Sequence, residues 1–382
     1  MTYKSTKNVH VCLVSDQPIP NLTSVLQFTP DTVVLLTTPE MKQKAKRLEN
    51  VLKEKNFNVE QLQISAYEIN NVVEECEKLL NQYKDHNISL NITGGTKIGT
   101  LGTFLAFYTM NKSIFYVNTY DNEILQLFPE DKQSKKPIKI KISIKDYLAV
   151  HGFKMQKYVK DESNIYKRKE ATEYLAHLTV HAENIIGKIN YKLQGYENFG
   201  YPFKLNLDPN ENIHKLFDFL NKANLARLIN KKTIEIPDYE TARYLAGIWF
   251  EEYVYMRAKS IPPDEAKINV EGTWDIPGKY PPRNEFDILV SKGNRLFYIS
   301  CKTTNPERKI DDSEEGVAKE YLFELDSIKD TALGLFGKGM LASAREIKND
   351  YVRKRAELLK IELVDGKRII NMKEALRQWI NK

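Results

Sequence analysis

Cysteine is scarce: three residues in 382, at positions 12, 76 and 301. They are odd in number and far apart, so neither a disulfide framework nor zinc-finger spacing is available. A reducing cytoplasmic setting is therefore expected. No apolar run reaches the roughly 20 residues of a membrane span. The opening Met1-Thr2-Tyr3-Lys4 has no apolar signal-peptide core, so no membrane contact is expected. Long repeats and low-complexity tracts are missing. No Gly-x-Gly-x-x-Gly follows the first apolar run, which disfavours a dinucleotide-dependent oxidoreductase. The formal charge is only +6, which permits nucleic-acid binding without demanding it.

What is present is the composition of an ordinary globular protein, 42% hydrophobic and 28% charged. The length suits two domains and a connector. The first third alternates strand and helix signals. Val9 to Val14 and Thr32 to Leu36 are short apolar runs of the kind buried in parallel sheets. Thr38 can cap a helix with Pro39 at its first position, followed by Met41, Ala45, Leu48 and Leu52 at helical spacing. Val72, Cys76, Leu79, Leu80 and Tyr83 mark another amphipathic helix. Ile88 to Ile92 is a strand running into Thr93-Gly94-Gly95-Thr96-Lys97, then a helix to about Met110 and a strand from Ile114 to Val117. This order predicts an open, Rossmann-like parallel sheet. Lys132 to Pro137 reads as a turn or loop, and the strict alternation of Ile138 to Ile144 reads as a half-buried closing strand. A mostly helical stretch follows to about Lys232, then a long helix after Pro237 that Pro262 and Pro263 end. Asn305 to Glu315 reads as a polar loop, and an α/β tail completes the chain.

Two places carry chemistry. Asn284 to Lys302 reads as a β-hairpin turning at Ser291-Lys292-Gly293-Asn294. Residues two apart share a strand face, so Glu285 and Asp287 point the same way, and Lys302 sits on the next strand. Carboxylates converging beside a lysine suit a Mg²⁺-dependent phosphodiester hydrolase: the acids hold a hard cation, and the lysine steadies water or developing charge. The second place is a set of loops at one sheet edge: Ser15-Asp16-Gln17, Thr37-Thr38 and Thr93-Gly94-Gly95-Thr96-Lys97. Glycines at a helix N-terminus let a phosphate approach the backbone N–H groups, and Lys97 adds a charge. The spacing is not that of a Walker A loop. Polar, mostly uncharged loops with one lysine suit a nucleotide-like ligand at the carboxyl edge of the sheet.

Other clusters are weaker. His177 and His181 lie four apart without a metalloprotease glutamate, and read as a helix surface. Ser15 has no histidine to activate it. Arg345, Lys348, Arg353, Lys354 and Arg355 read as a solvated helix face, with phosphate tracking as the alternative. Tyr321 and Phe323 read as core, with base stacking as the alternative.

The C-terminal pattern resembles the PD-(D/E)xK nuclease superfamily. Asp287 matches the first-strand acid, Lys302 the lysine, and Glu251, four residues after Gly247, the helix acid. Glu252 could also point inward; the place after Gly247 favours Glu251. The family's second-strand acid is replaced by Ser300. Glu285 could restore that charge from the neighbouring strand, water held by Ser300 could fill the position, or the site could be weak. The N-terminal pattern resembles CARF domains, sensors of cyclic oligoadenylate in type III CRISPR defence, on Val14 to Pro18, Leu35 to Met41 and Asn91 to Lys97. The combination resembles CRISPR ancillary nucleases along nearly the whole chain, including Ile299 to Thr303 and Lys354 to Glu357.

That resemblance implies an α/β protein: a CARF domain over 1–147, a helical connector over 148–236 and a restriction-endonuclease-like α/β domain over 237–382. It implies a homodimer that binds cyclic tetra-adenylate and then cuts DNA or single-stranded RNA with Mn²⁺ or Mg²⁺. The metal would be held by Asp287, Glu251, Glu285 and the backbone carbonyl of Cys301. The alternative is a nucleotide-sensing regulator whose nuclease-like domain binds nucleic acid with little or no cutting.

Overall fold

The computed structural model describes residues 5–130, 134–308 and 316–381. The first sheet holds β1 (Asn8–Leu13), β2 (Thr32–Thr37), β3 (Asn58–Gln63), β4 (Asn87–Asn91), β5 (Ser113–Asn118), β6 (Glu123–Phe128) and β7 (Ser134–Pro137). Their order is β3-β2-β1-β4-β5-β6-β7. The first five are parallel; β6 and β7 close one edge antiparallel. Its helices are α1 (Ile19–Phe28), α2 (Lys42–Glu54), α3 (Ile69–Gln82) and α4 (Lys97–Thr109). Val72, Cys76, Leu79, Leu80 and Tyr83 are all buried, as their spacing predicts. Gly102 lets α4 approach α3 closely: a Cβ there would stand 2.8 Å from Val72 Cγ1.

The segment 138–143 departs from the expected strand. Its isoleucines do alternate inward, with Ile138 and Ile142 buried. Its backbone, however, is satisfied largely by side chains rather than by a ladder. Lys139 N donates to Gln27 Oε1, Ile142 N to Asn294 Oδ1, and Ile144 N to Glu265 Oε2. Ile144 then opens α5 (Ile144–Val150). Conversely, Ser134 to Pro137, expected as loop, is the exposed edge strand β7; Lys132 lies outside the described residues.

The middle segment is largely helical, with α6 (Ser163–Lys167), α7 (Lys169–His181), α8 (Glu183–Lys192) and α9 (Glu211–Lys222). It also contributes strands the sequence reading did not include. β8 (Phe153–Lys157) leaves it to join the third sheet, and β9 (Phe203–Asn206), β10 (Arg227–Asn230) and β11 (Thr233–Ile236) form a small sheet of their own.

The third sheet adds β12 (Glu265–Trp274), β13 (Arg283–Lys292), β14 (Arg295–Lys302), β15 (Lys338–Ser343) and β16 (Glu362–Asp365), in the order β16-β15-β14-β13-β12-β8. It is flanked by α10 (Tyr239–Arg243), α11 (Trp249–Lys259), α12 (Ala318–Ile328), α13 (Asp350–Leu358) and α14 (Met372–Asn381). The expected hairpin is β13–β14. It turns on Gly293 and Asn294, both at φ 57°, the tight geometry whose twist matches paired strands. One apolar cluster runs from Leu22 and Leu48 of the first layer through Tyr147 and Phe153 to Phe286 and Tyr298 of the third sheet.

Candidate active site and ligand edge

The hairpin pairs regularly from Lys292–Arg295 as far as Ile288–Ile299. Beyond that point Asp287 substitutes its side chain for a ladder bond: its Oδ2 accepts from Cys301 N at 2.6 Å and from Ser300 Oγ at 3.4 Å. The strands part here, leaving Asp287 facing the space between them. Its carboxyl is pushed up to about 6, by burial first and also by the charges of Glu285 and Glu324, against the pull of Lys302 and the Cys301 N–H.

Glu251, on the first turn of α11, comes to the same place. Its carboxyl is pushed up to about 8, first by burial and then by the charge of Asp287, while the Asn269 amide opposes the rise. Asn269 Nδ2 donates to Glu251 Oε2 at 2.6 Å. This asparagine sits inside β12 at φ 51°, a left-handed conformation that asparagine tolerates better than most residues. Sequence reasoning missed it; its one signal is an asparagine interrupting a strand. Glu252 turns the other way. It is 2% exposed and held by Arg168, whose Nε donates to Glu252 Oε2 at 2.8 Å. Glu285 is exposed, two residues before Asp287 and opposite Glu271 of β12.

Lys302 completes the cluster. Burial alone would lower its pKa, but Asp287 and then Glu324 outweigh it, so it is raised and the ammonium is kept. Its Nζ lies 4.0 Å from Glu324 Oε2 and 4.9 Å from the Tyr321 ring centre, both on α12. Ser300 is buried. The Cys301 thiol is pushed well above its usual range by burial and the adjacent carboxylates, so it stays protonated. In a strand the N–H and C=O of one residue point to the same edge. The Cys301 carbonyl therefore faces the side on which its N–H meets Asp287.

No group of three or more His, Cys, Asp or Glu side chains is arranged to hold a metal among the described residues. The donors that do meet still fit a hard cation. They are carboxylate oxygens, from two half-buried acids held together at a mutual electrostatic cost that a divalent ion would relieve. His177 and His181 lie exposed on α7 with rings 4.2 Å apart. The basic run is divided: Arg345 pairs with Glu183, Arg353 with Asp365, and Arg355 stacks over Phe323 and Tyr351. Tyr321 is partly buried against the shared core, whereas Phe323 is exposed.

The ligand edge lies where strand order reverses, between β1 and β4. Gly94 and Gly95 are required by contact with β1. A Cβ on Gly94 would stand 2.4 Å from Leu13 O; Gly95 has φ 91° and little room beside Leu13. Thr96 caps α4 by accepting from Gly99 N at 3.0 Å. Thr93 is tied down by Asn91 and by Val117 N. Gly95 and Lys97 remain open at the helix N-terminus. Ser15 and Gln17 form a turn across the crevice, with Gln17 N donating to Ser15 Oγ at 3.2 Å, and Asp16 pairs with Lys44. Thr37 and Thr38 lie one strand away and are buried, so they offer little to a ligand as the chain stands.

Comparison with known proteins follows the same division. Residues 9–147 match the family model of the Card1 CARF domain, and residues 238–382 match that of the Card1-like endonuclease domain. Can2 from Sulfobacillus thermosulfidooxidans, solved in complex with cyclic tetra-adenylate, is 27% identical with a TM-score of 0.81, over 98% of this chain and 100% of that one. VC1899 from Vibrio cholerae shares the fold at 20% identity, with a TM-score of 0.84 over 97% of each chain. A type III CRISPR defence DNA nuclease activated by cyclic oligoadenylate shares the fold more loosely, at 16% identity and a TM-score of 0.54, over 88% of this chain and 45% of that one. No curated protein matches the sequence significantly.

Proposed function

The chain belongs to the CARF-domain CRISPR nucleases, and on that premise we propose that it hydrolyses phosphodiester bonds in nucleic acid when cyclic tetra-adenylate occupies the ligand edge. The observation that carries this reading is the meeting of Glu251, Asp287 and Lys302 where the hairpin strands part. Asp287, Glu251 and the Cys301 carbonyl would hold Mg²⁺ or Mn²⁺, with Glu285 able to reach in from the exposed side. Bound there, the ion would polarise the phosphoryl group and ease deprotonation of water. Asn269 fixes one oxygen of Glu251 and leaves the other for the ion. The Cys301 N–H does the same for Asp287. Lys302, kept protonated, would donate to a non-bridging phosphoryl oxygen as negative charge builds there. The new bond joins water oxygen to phosphorus as the water gives up one proton to solvent, the bond to the leaving sugar oxygen breaks, and that oxygen takes up one proton from solvent, so protons balance.

At the other end, Gly95 and Lys97 at the start of α4 would meet a phosphate, and Ser15 and Gln17 the opposite side of the ligand. A homodimer is part of this reading. On α4, Leu101, Leu105 and Tyr108 are 57%, 50% and 46% exposed along one helix face, beside the ligand edge. A two-fold axis there would let a ring of four identical units meet two copies of the loops. A cytoplasmic site of action, on DNA or single-stranded RNA, belongs to the same reading; no helix among the described residues is long and apolar enough to cross a membrane.

The test is incubation with supercoiled plasmid and labelled single strands, with Mn²⁺, with and without cyclic tetra-adenylate. Ligand-stimulated cleavage that vanishes in Asp287→Ala is expected; cleavage intact in that variant would overturn the site assignment. A second reading is a regulator that binds nucleic acid without cutting. The neutral Ser300, in place of the family's second-strand acid, favours it. Tight nucleic-acid binding with no Mn²⁺-dependent products would select it.

A further inference from the structure

The ligand edge and the nuclease cluster are joined by a continuous set of contacts. Gln17, in the loop after β1, reaches out of its own domain: its Oε1 accepts from Leu335 N at 2.8 Å. Two residues earlier, Leu333 O accepts from Tyr147 OH at 2.7 Å. Between them Gly334 has φ 64°, and a Cβ there would stand 2.9 Å from His151 Nε2 and 3.0 Å from Gln17 Oε1. The turn 333–335 is thus gripped from three sides by the sensor half and α5. A cavity of about 280 Å³, lined by Lys44, Arg47, His151 and Thr331 among others, opens beside it. There is room for the turn to shift.

The same turn ends a helical rod. Residues Lys329–Leu333 are wound as a single π-type turn on the end of α12. Such turns recur at functional sites. Eleven residues of α12 span about 16 Å. Its inner face is buried through Leu322, Leu325 and Ile328. Toward its start, Tyr321 and Glu324 flank Lys302, and Tyr321 OH shares a hydrogen bond of 2.7 Å with Thr304 Oγ1, two residues past Lys302. A rod packed along one face moves as a body, so a displacement at Leu335 is felt at Lys302.

We propose that Tyr321 and Glu324 are positioning residues for Lys302, and that Gln17 reports ligand occupancy to them through the 333–335 turn and α12. This rests on the reading of the chain as a ligand-gated nuclease and supplies its gate. The ligand must favour one seating of the Gln17 loop over the other, because equal affinity for both would shift nothing.

Leu335→Pro deletes the N–H that Gln17 accepts, and Leu335→Ala keeps it. The Leu335 side chain is 70% exposed, so neither change empties the core. In the full-length protein, three quantities are read: calorimetric Kd for cyclic tetra-adenylate, the ratio of stimulated to unstimulated cleavage, and hydrogen exchange of peptides covering 318–335. Leu335→Pro is expected to bind the ligand within twofold of wild type, to lose at least tenfold in the ratio, and to show no ligand-induced exchange change in α12. Leu335→Ala should behave as wild type in all three. Glu324→Gln should lower the stimulated kcat and leave KM and ligand Kd in place. A normal ratio in Leu335→Pro, a Kd that weakens in step with the ratio, or an equal loss in Leu335→Ala would overturn the link. If Leu335→Pro does not fold, Tyr147→Phe takes its place. Wild-type α12 peptides unaffected by ligand would then overturn the link by themselves. A wild type that ligand does not stimulate at all would overturn the gated-nuclease reading instead.

Discussion

Two carboxyls raised by the same burial should make the metal-free protein lose stability as pH rises. Glu251 stands near 4.5 in an unfolded chain and at about 8 in the folded one. In that window the folded state keeps a proton that the unfolded state has released, so each rise in pH favours unfolding. The benefit of the shared proton is complete below pH 4.5 and is lost by about pH 8. At about 1.4 kcal/mol per pH unit this is at most about 5 kcal/mol. Asp287 repeats part of it over the range from 3.8 to about 6, and their mutual repulsion counts only once. For a chain of 382 residues a loss of that size corresponds to about 4 to 6 °C in Tm. The perturbation is Glu251→Gln, which preserves shape and an acceptor for Asn269 while removing the ionisation. The assay is thermal unfolding under a chelator, from about pH 5 to about pH 8.5. Wild type should fall relative to the variant as pH rises, and the variant should be the more stable of the two at the alkaline end. Adding Mn²⁺ at that end should raise wild type and leave the variant nearly unmoved. Parallel curves for the two proteins, or a variant that gains as much from Mn²⁺, would refute the argument that these acids are strained in the absence of a cation.

Three further outcomes are expected. Lys97→Ala should raise the cyclic tetra-adenylate concentration needed for half-maximal cleavage by about tenfold, roughly one lost charge-assisted bond to phosphate, with Mn²⁺ affinity unchanged; equal activation at limiting ligand would remove Lys97 from the ligand edge. Arg168→Met strands the buried Glu252 carboxylate and should cost about 3 kcal/mol in denaturant unfolding at neutral pH; a loss under about 1 kcal/mol would mean that Glu252 is not held as an ion pair. Leu105→Glu places a charge on the exposed apolar face of α4 and should convert a dimer to a monomer in analytical ultracentrifugation; an unchanged sedimentation coefficient would locate the dimer contact elsewhere.

Legibility followed burial. β2 is buried at all six positions and reads as an unbroken apolar run between turn signals. The hairpin was visible because apolar runs flank a turn built on glycine and asparagine. β3, Asn-Val-Glu-Gln-Leu-Gln, was invisible because it is an edge strand with one buried residue, Val59. Ile138 to Ile144 has the alternation of a strand and the burial of one, but Gln27, Asn294 and Glu265 take its donors, and periodicity cannot foresee which backbone partner wins. Within the nuclease cluster, alternation put Glu285 and Asp287 on one strand face with Lys302 on the next strand, and the nuclease resemblance singled out Asp287 and Lys302. Glu251 and Glu252 could not be separated that way, because the choice depends on Arg168, 84 residues upstream. Asn269 and Glu324 act through long-range contacts that no local pattern announces.

The strand β8 has a consequence for how this molecule can be divided. It pairs with β12 through Phe153 to Lys157, although it precedes the nuclease segment by some eighty residues of largely helical chain. A fragment cut at the start of the segment matching the endonuclease family, residue 238, would bare the Glu271 to Trp274 end of β12, an open template for sheet-to-sheet association. The same cut would leave Asn294 at the hairpin tip without Ile140, Ile142 and Asn122 to bond. The two halves are therefore poor candidates for mix-and-match chimeras. A sensor exchanged onto this nuclease must bring, or leave behind, a strand that fits β12.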